Sequence, residues 1–229
     1  DDPGPLTIVG PSGIKTFIEH TITDLKYRLN FKIHYKEWVK GAKNSPLLWN
    51  GGTLNWTPLK HSTFCLGYQY VEDERPGKFD LEKAEELNIP RGPLYGELQS
   101  GHPITLKDGR GITPDDVLGE PRRGRLVTYA TDTMECDGLK KICTDADIAF
   151  VEGMFTLEHK EEALQKKHST AASTALIAQE SGVKKLVLMH ISPRYSYDDE
   201  KILKREAEEY HDCVTVGRSL DTYEIKLPD

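Results

Sequence analysis

The chain has 229 residues, of which 37% are hydrophobic and 29% are charged, and its formal net charge is −7. This length fits one large domain or two small ones, and the composition is typical of a soluble globular protein. No apolar run reaches the roughly 18 residues of a membrane-spanning helix, so the sequence predicts no membrane association. The negative charge argues against indiscriminate nucleic-acid binding, although it leaves room for a local basic patch.

The N-terminal residues and the cysteines bear on the compartment of the protein. The chain opens on the acidic, turn-forming run Asp1-Asp2-Pro3-Gly4-Pro5, which lacks the basic and apolar regions of a signal peptide. Its first residue is not Met, which is consistent with a start further upstream. The cysteines form no C-x-x-C pair, a pattern typical of reduced thiols in a cytoplasmic protein; they are Cys65, Cys136, Cys143 and Cys213.

Up to residue 70 the pattern predicts four strands and one helix. Gly10-Pro11-Ser12-Gly13 is interpreted as a plain turn, because it lacks the Lys and the spacing of a phosphate-binding loop. Asn50-Gly51-Gly52 is a hairpin signal. The predicted elements are a strand at 6–9, a helix at about 14–25, a strand within 31–40, and strands at 53–59 and 64–70 that flank His61.

Between residues 72 and 125 the composition changes. Pro and Gly cluster at 75–77, 90–93, 109–111 and 121–125, and arginines gather at these turns and at the end of the stretch. One short helix, about 80–87, interrupts the turns, and no sustained apolar period is present. We therefore predict a single domain spanning 1–229, with a flexible arm inserted at about 75–125.

After the arm the pattern is that of an α/β protein. Predicted strands at 126–130, 148–151 and 186–189 are followed by Asp132, Glu152 and His190. Sites in open α/β sheets form beyond the carboxyl ends of the strands, so three strands that each lead to an ionisable residue indicate a site. The remaining predicted elements are helices near 138–143, 170–181 and 200–210 and a last strand at 222–227.

Two histidines and one aspartate are candidate metal ligands. His61, Asp132 and His190 together match the ligand set of a catalytic zinc or di-metal site. Each also has an ordinary structural interpretation: Asp132 as a turn or N-cap residue, His61 as a structural histidine, and His190 as a buried, hydrogen-bonded one. The three residues are dispersed in the sequence, so only their convergence in space would establish a site.

A third histidine, His168, precedes Ser169-Thr170, which is a favourable N-cap pair. It is either a solvated residue or lies beside the helix N-terminus, where a phosphate is favoured and an imidazolium can protonate a leaving alkoxide. Glu152 would orient that imidazole or simply end its strand. Together with the candidate ligands, these residues point to metal-assisted hydrolysis.

Motifs along nearly the whole chain occur in an order similar to that of a known family. The chain resembles ribonuclease Z, the tRNA 3′-processing endonuclease of the metallo-β-lactamase superfamily. The matching segments are Pro5-Leu6-Thr7-Ile8-Val9-Gly10-Pro11-Ser12-Gly13, Arg75-Pro76-Gly77-Lys78-Phe79-Asp80, Ile89-Pro90-Arg91-Gly92-Pro93-Leu94-Tyr95, Asp116-Val117-Leu118-Gly119, Tyr129-Ala130-Thr131-Asp132-Thr133, His168-Ser169-Thr170 and His190-Ile191-Ser192-Pro193-Arg194-Tyr195.

The resemblance implies an α/β fold, the metallo-β-lactamase αββα sandwich, and a zinc-dependent endoribonuclease that removes the 3′ trailer of precursor tRNA. His61 and His190 would each ligate one of two zinc ions and Asp132 would bridge them. His168 would be the general acid or phosphate contact, supported by Glu152. The arm would be an exosite that binds the tRNA elbow through phosphate contacts. A homodimer is also implied, and the substrate-binding residues would be Lys78, Arg91, Gly92, Pro93 and Arg194.

The sequence departs from the family pattern at some positions. Thr131 stands where many members have Gly, and Val151-Glu152-Gly153 replaces the common His-Glu-Ala. The family motif His-x-His-x-Asp-His precedes the first matching segment, and this chain begins just before that segment. The resemblance therefore predicts that the chain is the downstream part of a longer protein and does not hold a normal two-zinc site alone. A zinc content near two ions per chain would contradict this.

Two other functions remain open on the sequence alone. In the first alternative, the protein has the same fold but hydrolyses small phosphodiesters or other esters. A small substrate, however, would need no long arm. In the second alternative the protein is a non-catalytic homologue that acts as a scaffold or binding module.

Overall fold

The computed structural model of the chain describes residues 4–41, 45–49, 51–196 and 198–228. The chain divides into two compact units, Asp1–Tyr70 with Leu126–Tyr223, and Val71–Arg125 with Glu224–Asp229. The predicted arm falls within the second unit. None of the helices formed by the described residues is long and apolar enough to cross a membrane. Residues 1–3 of the acidic N-terminal run and Asn50 of the hairpin signal lie outside the described residues.

The described residues form eleven strands and seven α-helices. In order, the elements are β1 (Leu6–Pro11), α1 (Ile14–Asp24), β2 (Ile33–Trp38), β3 (Leu47–Trp49), β4 (Gly52–Pro58), β5 (Leu66–Glu72), α2 (Leu81–Glu86), α3 (Pro93–Gln99), β6 (Ile104–Thr105), β7 (Gly111–Ile112), β8 (Leu126–Ala130), α4 (Asp137–Cys143), β9 (Ile148–Glu152), α5 (Lys160–Lys166), α6 (Ala171–Glu180), β10 (Leu186–Met189), α7 (Glu200–Glu208) and β11 (Val214–Val216).

The first three elements form a βαβ unit. β1 and β2 pair in parallel, and α1 connects them. Gly13 at the N-cap of α1 has a φ of 98°, a left-handed conformation that glycine adopts without steric cost. The carboxylate of Glu37 in β2 accepts hydrogen bonds from the N–H groups of Gly13 at 2.7 Å and Lys15 at 3.1 Å. A negative charge from the neighbouring strand therefore caps the positive end of the helix.

A seven-stranded sheet carries three of the predicted site residues, Asp132, Glu152 and His190, at or just beyond its strand ends. Its strand order is β11-β10-β9-β8-β5-β4-β3. β8 to β11 pair in parallel, whereas β3 and β4 pair antiparallel and place Trp49 opposite Gly52. Because β8, β9 and β10 run in the same direction, their carboxyl ends meet at one edge of the sheet.

Small residues let the helices of the first unit pack closely. The buried face of α6 contains four alanines, Ala171, Ala172, Ala175 and Ala178. A Cβ atom at Gly138 would lie 2.0 Å from the carbonyl oxygen of Pro58, so α4 approaches β4 through a glycine. Leu139, Leu186 and Leu188 are fully buried in the core between these layers. Each such leucine stabilises the fold by about 1.5–3 kcal/mol.

The second unit has a hydrophobic core of its own. Its buried residues are Ala84, Ile89, Leu98, Ile104, Leu106, Ile112 and Val117. They come from short helices, a two-stranded ribbon and the turns between them, so they produce no period in the sequence. The prediction of a single helix here was wrong, because α3 also forms. Gly92-Pro93 had indicated a loop, yet proline is favoured at the first position of a helix.

Two predictions in the last part of the chain were also wrong. Residues 222–227, all of them described, have no regular secondary structure, and the last strand is β11 instead. α5 was not predicted. β11 has three residues and α5 has seven, so both are too short for hydrophobic periodicity to reveal them.

Candidate metal centre

The shared edge of β8, β9 and β10 gathers three of the predicted site residues. Asp132 lies just beyond β8, Glu152 ends β9, and His190 directly follows β10. Asp132 and His190 have φ values of 53° and 54°, in the left-handed region that few residues other than glycine adopt. Such conformations cost about 1–3 kcal/mol each and cluster at functional sites. Both residues therefore lie in tight turns at this edge of the sheet.

His61 reaches the same edge from the loop between β4 and β5. The preceding residue, Lys60, forms an isolated antiparallel bridge with Met134, whose N–H donates to the Lys60 carbonyl at 2.9 Å. Nδ1 of His61 lies 3.0 Å from the carbonyl oxygen of Lys167. Because a carbonyl only accepts, Nδ1 carries the proton and Nε2 keeps its lone pair for a ligand.

Glu152 is the buried centre of the cluster. Its side chain is fully inaccessible, and its Oε1 accepts the backbone N–H of Thr133 at 2.6 Å. Its Oε2 lies 2.7 Å from Nδ1 of His168 and 3.4 Å from Nδ1 of His190. Both rings thus use Nδ1 toward the carboxylate, which leaves their Nε2 atoms for other partners. A carboxylate engaged in this way is suited to orient the histidines rather than to bind a metal itself.

The donor set fits a divalent cation. His61, Asp132 and His168 each offer an atom within 4.8 Å of the others, and Glu152, His168 and His190 form a second such group. Nε2 of His190 lies 3.3 Å from Oδ1 of Asp132, so the two groups adjoin. Imidazole nitrogens with a carboxylate oxygen are ligands that zinc and similar ions prefer.

Burial controls the protonation of the central pair. It raises the pKa of the Glu152 carboxyl to about 8, although the hydrogen bond from the Thr133 N–H acts in the opposite direction. It also lowers the pKa of the His168 imidazole, and the neighbouring His61 and His190 rings lower it further. The two shifts favour the uncharged forms of Glu152 and His168. A neutral imidazole is the form with a free ring-nitrogen lone pair.

The predicted substrate-binding residues lie outside this cluster. Lys78, Arg91, Gly92 and Pro93 belong to the second unit, where Gly92 is the N-cap of α3 and Pro93 its first residue. The exposed Arg91 side chain forms an ion pair with Glu85. Arg194 belongs to the first unit and forms two hydrogen bonds with Glu162, at 2.7 and 2.6 Å.

Sequence reasoning missed two buried residues of this centre, Thr133 and Ser169. The hydroxyl of Ser169 donates to the carbonyl of Thr133 at 2.9 Å. Each directly follows a predicted site residue, Asp132 or His168. That adjacency was the only available signal, because a small hydroxyl side chain after a site residue is common and says nothing about its partner.

Comparison with known proteins identifies the family. No family model matches the sequence. The ribonuclease Z of Myxococcus xanthus is 37% identical over 224 residues, which cover 98% of this chain and 71% of that protein. The chain belongs to the ribonuclease Z family. The ribonuclease Z of Borrelia garinii subsp. bavariensis is 41% identical over 212 residues, which cover 91% of this chain and 66% of the relative. The family resemblance seen in the sequence motifs is confirmed.

Solved structures confirm the fold. Human tRNase Z, short form, matches with a TM-score of 0.60 and 19% identity, over 97% of this chain and 67% of that one. A metallo-β-lactamase fold protein of Bacillus subtilis matches with a TM-score of 0.56 and 16% identity, over 94% of this chain and 63% of that one. The predicted α/β fold of the metallo-β-lactamase type is therefore confirmed. The ribonuclease Z family and the cluster of His, Asp and Glu side chains together imply a metal cofactor.

Proposed function

We propose that this chain contributes active-site residues to a zinc-dependent endoribonuclease that removes the 3′ trailer of precursor tRNA. Cleavage would occur on the 3′ side of the discriminator base. The relatives support a hydrolytic endoribonuclease that processes tRNA 3′ ends. The observation that carries the proposal is the buried Glu152 carboxylate, which engages Nδ1 of His168 and leaves Nε2 for substrate.

His61, Asp132 and His190 would hold the metal. Their donors are two imidazole nitrogens and one carboxylate oxygen, and the Lys167 carbonyl and the Glu152 carboxylate orient the two rings. When bound, zinc lowers the pKa of water and stabilises charge on a phosphate. Two zinc ions per complete site follow from the family resemblance.

His168 would supply the proton for the leaving group. In the imidazolium form, Nδ1–H donates to Glu152 and Nε2–H is the transferable proton. As the bond between phosphorus and the 3′-oxygen breaks, that proton passes to the departing 3′-oxygen and the ring becomes neutral.

The second unit would bind the tRNA elbow, with contacts from Lys78, Arg91, Gly92 and Pro93. Arg194 would contact the substrate from the first unit. Arg91 and Arg194 each have a glutamate partner at the surface. Exposed ion pairs contribute only about 0–1 kcal/mol, so a phosphate can replace the glutamate at little cost. A cytoplasmic homodimer is part of the same proposal and rests on the cysteine pattern and the resemblance.

Substitution of His168 tests the proposal. We expect His168→Ala to retain the zinc content of the wild type and to cleave precursor tRNA about 10²–10⁴-fold more slowly, since a general acid contributes that much. His20→Ala, at an exposed position in α1, is the matched control and should behave as the wild type. Cleavage by His168→Ala at the wild-type rate would refute the assignment.

A further inference from the structure

Thr133 is fully buried and forms hydrogen bonds with three other segments at the candidate metal centre: the end of β9, the loop before α6 and the loop between β4 and β5. Its backbone N–H donates to Oε1 of Glu152 at 2.6 Å, and its carbonyl accepts from the hydroxyl of Ser169 at 2.9 Å. Its own hydroxyl donates to the carbonyl of Met134 at 2.7 Å and accepts from the N–H of Lys60 at 3.2 Å. Each polar atom of Thr133 therefore has a partner.

Three of these partners, Lys60, Glu152 and Ser169, adjoin or contact a histidine of the site. Lys60 directly precedes His61, and the peptide groups on both sides of Lys60 are held by the Thr133-Met134 segment. Ser169 directly follows His168 and is itself only 3% exposed. A displacement of Thr133 or Ser169 would therefore move one imidazole relative to the others.

The hydroxyl of Thr133 has one proton, so it can donate only one hydrogen bond. The Met134 carbonyl lies 2.7 Å from the hydroxyl oxygen, nearer than the Lys60 carbonyl at 3.5 Å, so the proton points to Met134 and an oxygen lone pair accepts the Lys60 N–H. Valine has nearly the same shape but makes neither hydrogen bond, whereas serine keeps both. Comparing Thr133→Val with Thr133→Ser therefore separates the effect of the hydrogen bonds of Thr133 from the effect of its packing.

We propose that Thr133 and Ser169 are positioning residues, with Thr133 setting the place of His61 and Ser169 setting the place of His168. Neither residue touches the substrate in this proposal; each acts through the imidazole beside it. The catalytic meaning of the proposal rests on the proposed function, but the placement of the rings is measurable in the metal-free protein.

Imidazole ¹H–¹⁵N correlation spectra of the metal-free protein test the proposal. Thr133→Val is expected to shift the ring signals of His61, and Thr133→Ser to restore the wild-type spectrum. Ser169→Ala is expected to shift the ring signals of His168. Thr128→Val is the matched control, because Thr128 is a fully buried threonine within β8 whose hydroxyl donates to the Ile142 carbonyl at 2.7 Å.

Wild-type ring signals in both Thr133→Val and Ser169→Ala would overturn the proposal, and so would a Thr133→Ser variant that behaves like Thr133→Val. If Thr133→Val does not fold, wild-type ring signals of His168 in Ser169→Ala, or shifted ring signals of His61 in Thr133→Ser, would overturn the proposal.

Kinetics of the same variants connect ring placement to the proposed function. We expect kcat for precursor tRNA to fall about tenfold or more in Thr133→Val and Ser169→Ala, with KM unchanged, as for other groups that orient metal-site histidines. Shifted ring signals with unchanged kcat would overturn the catalytic role. Zinc binding and cleavage by the wild-type protein bear on the proposed function alone, whereas the spectra of the metal-free protein decide the placement of the rings independently.

Discussion

Oε2 of Glu152 lies 2.7 Å from Nδ1 of His168, although the two residues are 16 positions apart and belong to different elements. The glutamate is fully buried, and its other oxygen accepts the N–H of Thr133. A carboxyl group held in this way fixes the orientation of the imidazole. The position of the His168 Nε2 is thus set by a residue that solvent does not reach.

Glu152→Gln should lower turnover of precursor tRNA about 10–100-fold, the usual effect of removing a group that orients a metal-site histidine. An amide has one acceptor atom instead of two, so it cannot accept from both the Thr133 N–H and the His168 ring. Steady-state kinetics with parallel zinc analysis measure the effect. Glu180→Gln, which changes an exposed partner of Lys140, is the matched control. Equal turnover in Glu152→Gln and the wild type would contradict the orienting role.

Asp132→Asn should weaken zinc binding at least about tenfold, since even outer partners of metal ligands have effects of this size. The substitution removes the negative charge but keeps a side chain that tolerates the left-handed backbone. Asp145→Asn is the matched control because Asp145 has a φ of 55°. Competition with a chromophoric chelator measures both affinities. If the two variants bind zinc equally well, Asp132 is not a ligand.

Removal of residues 79–118 should weaken tRNA binding and spare hydrolysis of a small phosphodiester such as bis(p-nitrophenyl) phosphate. The N–H of Gly119 donates to the carbonyl of Lys78 at 2.9 Å, so the deletion joins two residues that already lie side by side. The loss of phosphate contacts should also reduce the salt dependence of tRNA affinity. Filter binding at several salt concentrations measures this. Undiminished affinity would exclude the arm as an exosite.

Leu98→Ala should destabilise the second unit by about 2–5 kcal/mol, the cost of truncating a buried leucine. Leu98 is fully buried in the core of that unit, whereas Leu81 is 55% exposed. Leu81→Ala is therefore the matched control, with an expected effect within about 0.5 kcal/mol. Hydrogen exchange of the backbone amides in α2 and α3 reports the difference. Equal protection in the two variants would show that the arm does not depend on its own core.

Prediction from the sequence succeeded where the pattern is local. β8, β9 and β10 were expected within a residue of their observed ends, and α6 within one residue of its start and end. These elements are buried, and their apolar runs end at clear turn or cap signals. It failed for α3, α5 and β11, which are short and take their stability from contacts made elsewhere in the chain.

The sequence predicted which residues form the candidate site but not how their side chains are arranged in space. Asp132, Glu152 and His190 were expected together because each follows a parallel strand. His61 joins them through the bridge between Lys60 and Met134, residues that lie far apart in sequence. Nothing in the local pattern around His61 indicates that pairing.

The sequence by itself determined the order of the motifs, the alternation of strands and helices, and the presence of ionisable residues after three strands. These depend on local periodicity and turn chemistry, which neighbouring residues specify. Only the tertiary structure decided which imidazole nitrogen faces the buried carboxylate, which hydroxyl groups hold the loops, and that the arm has a core. Those features arise from hydrogen bonds and packing between distant segments, and such contacts exist only after the sheet has assembled.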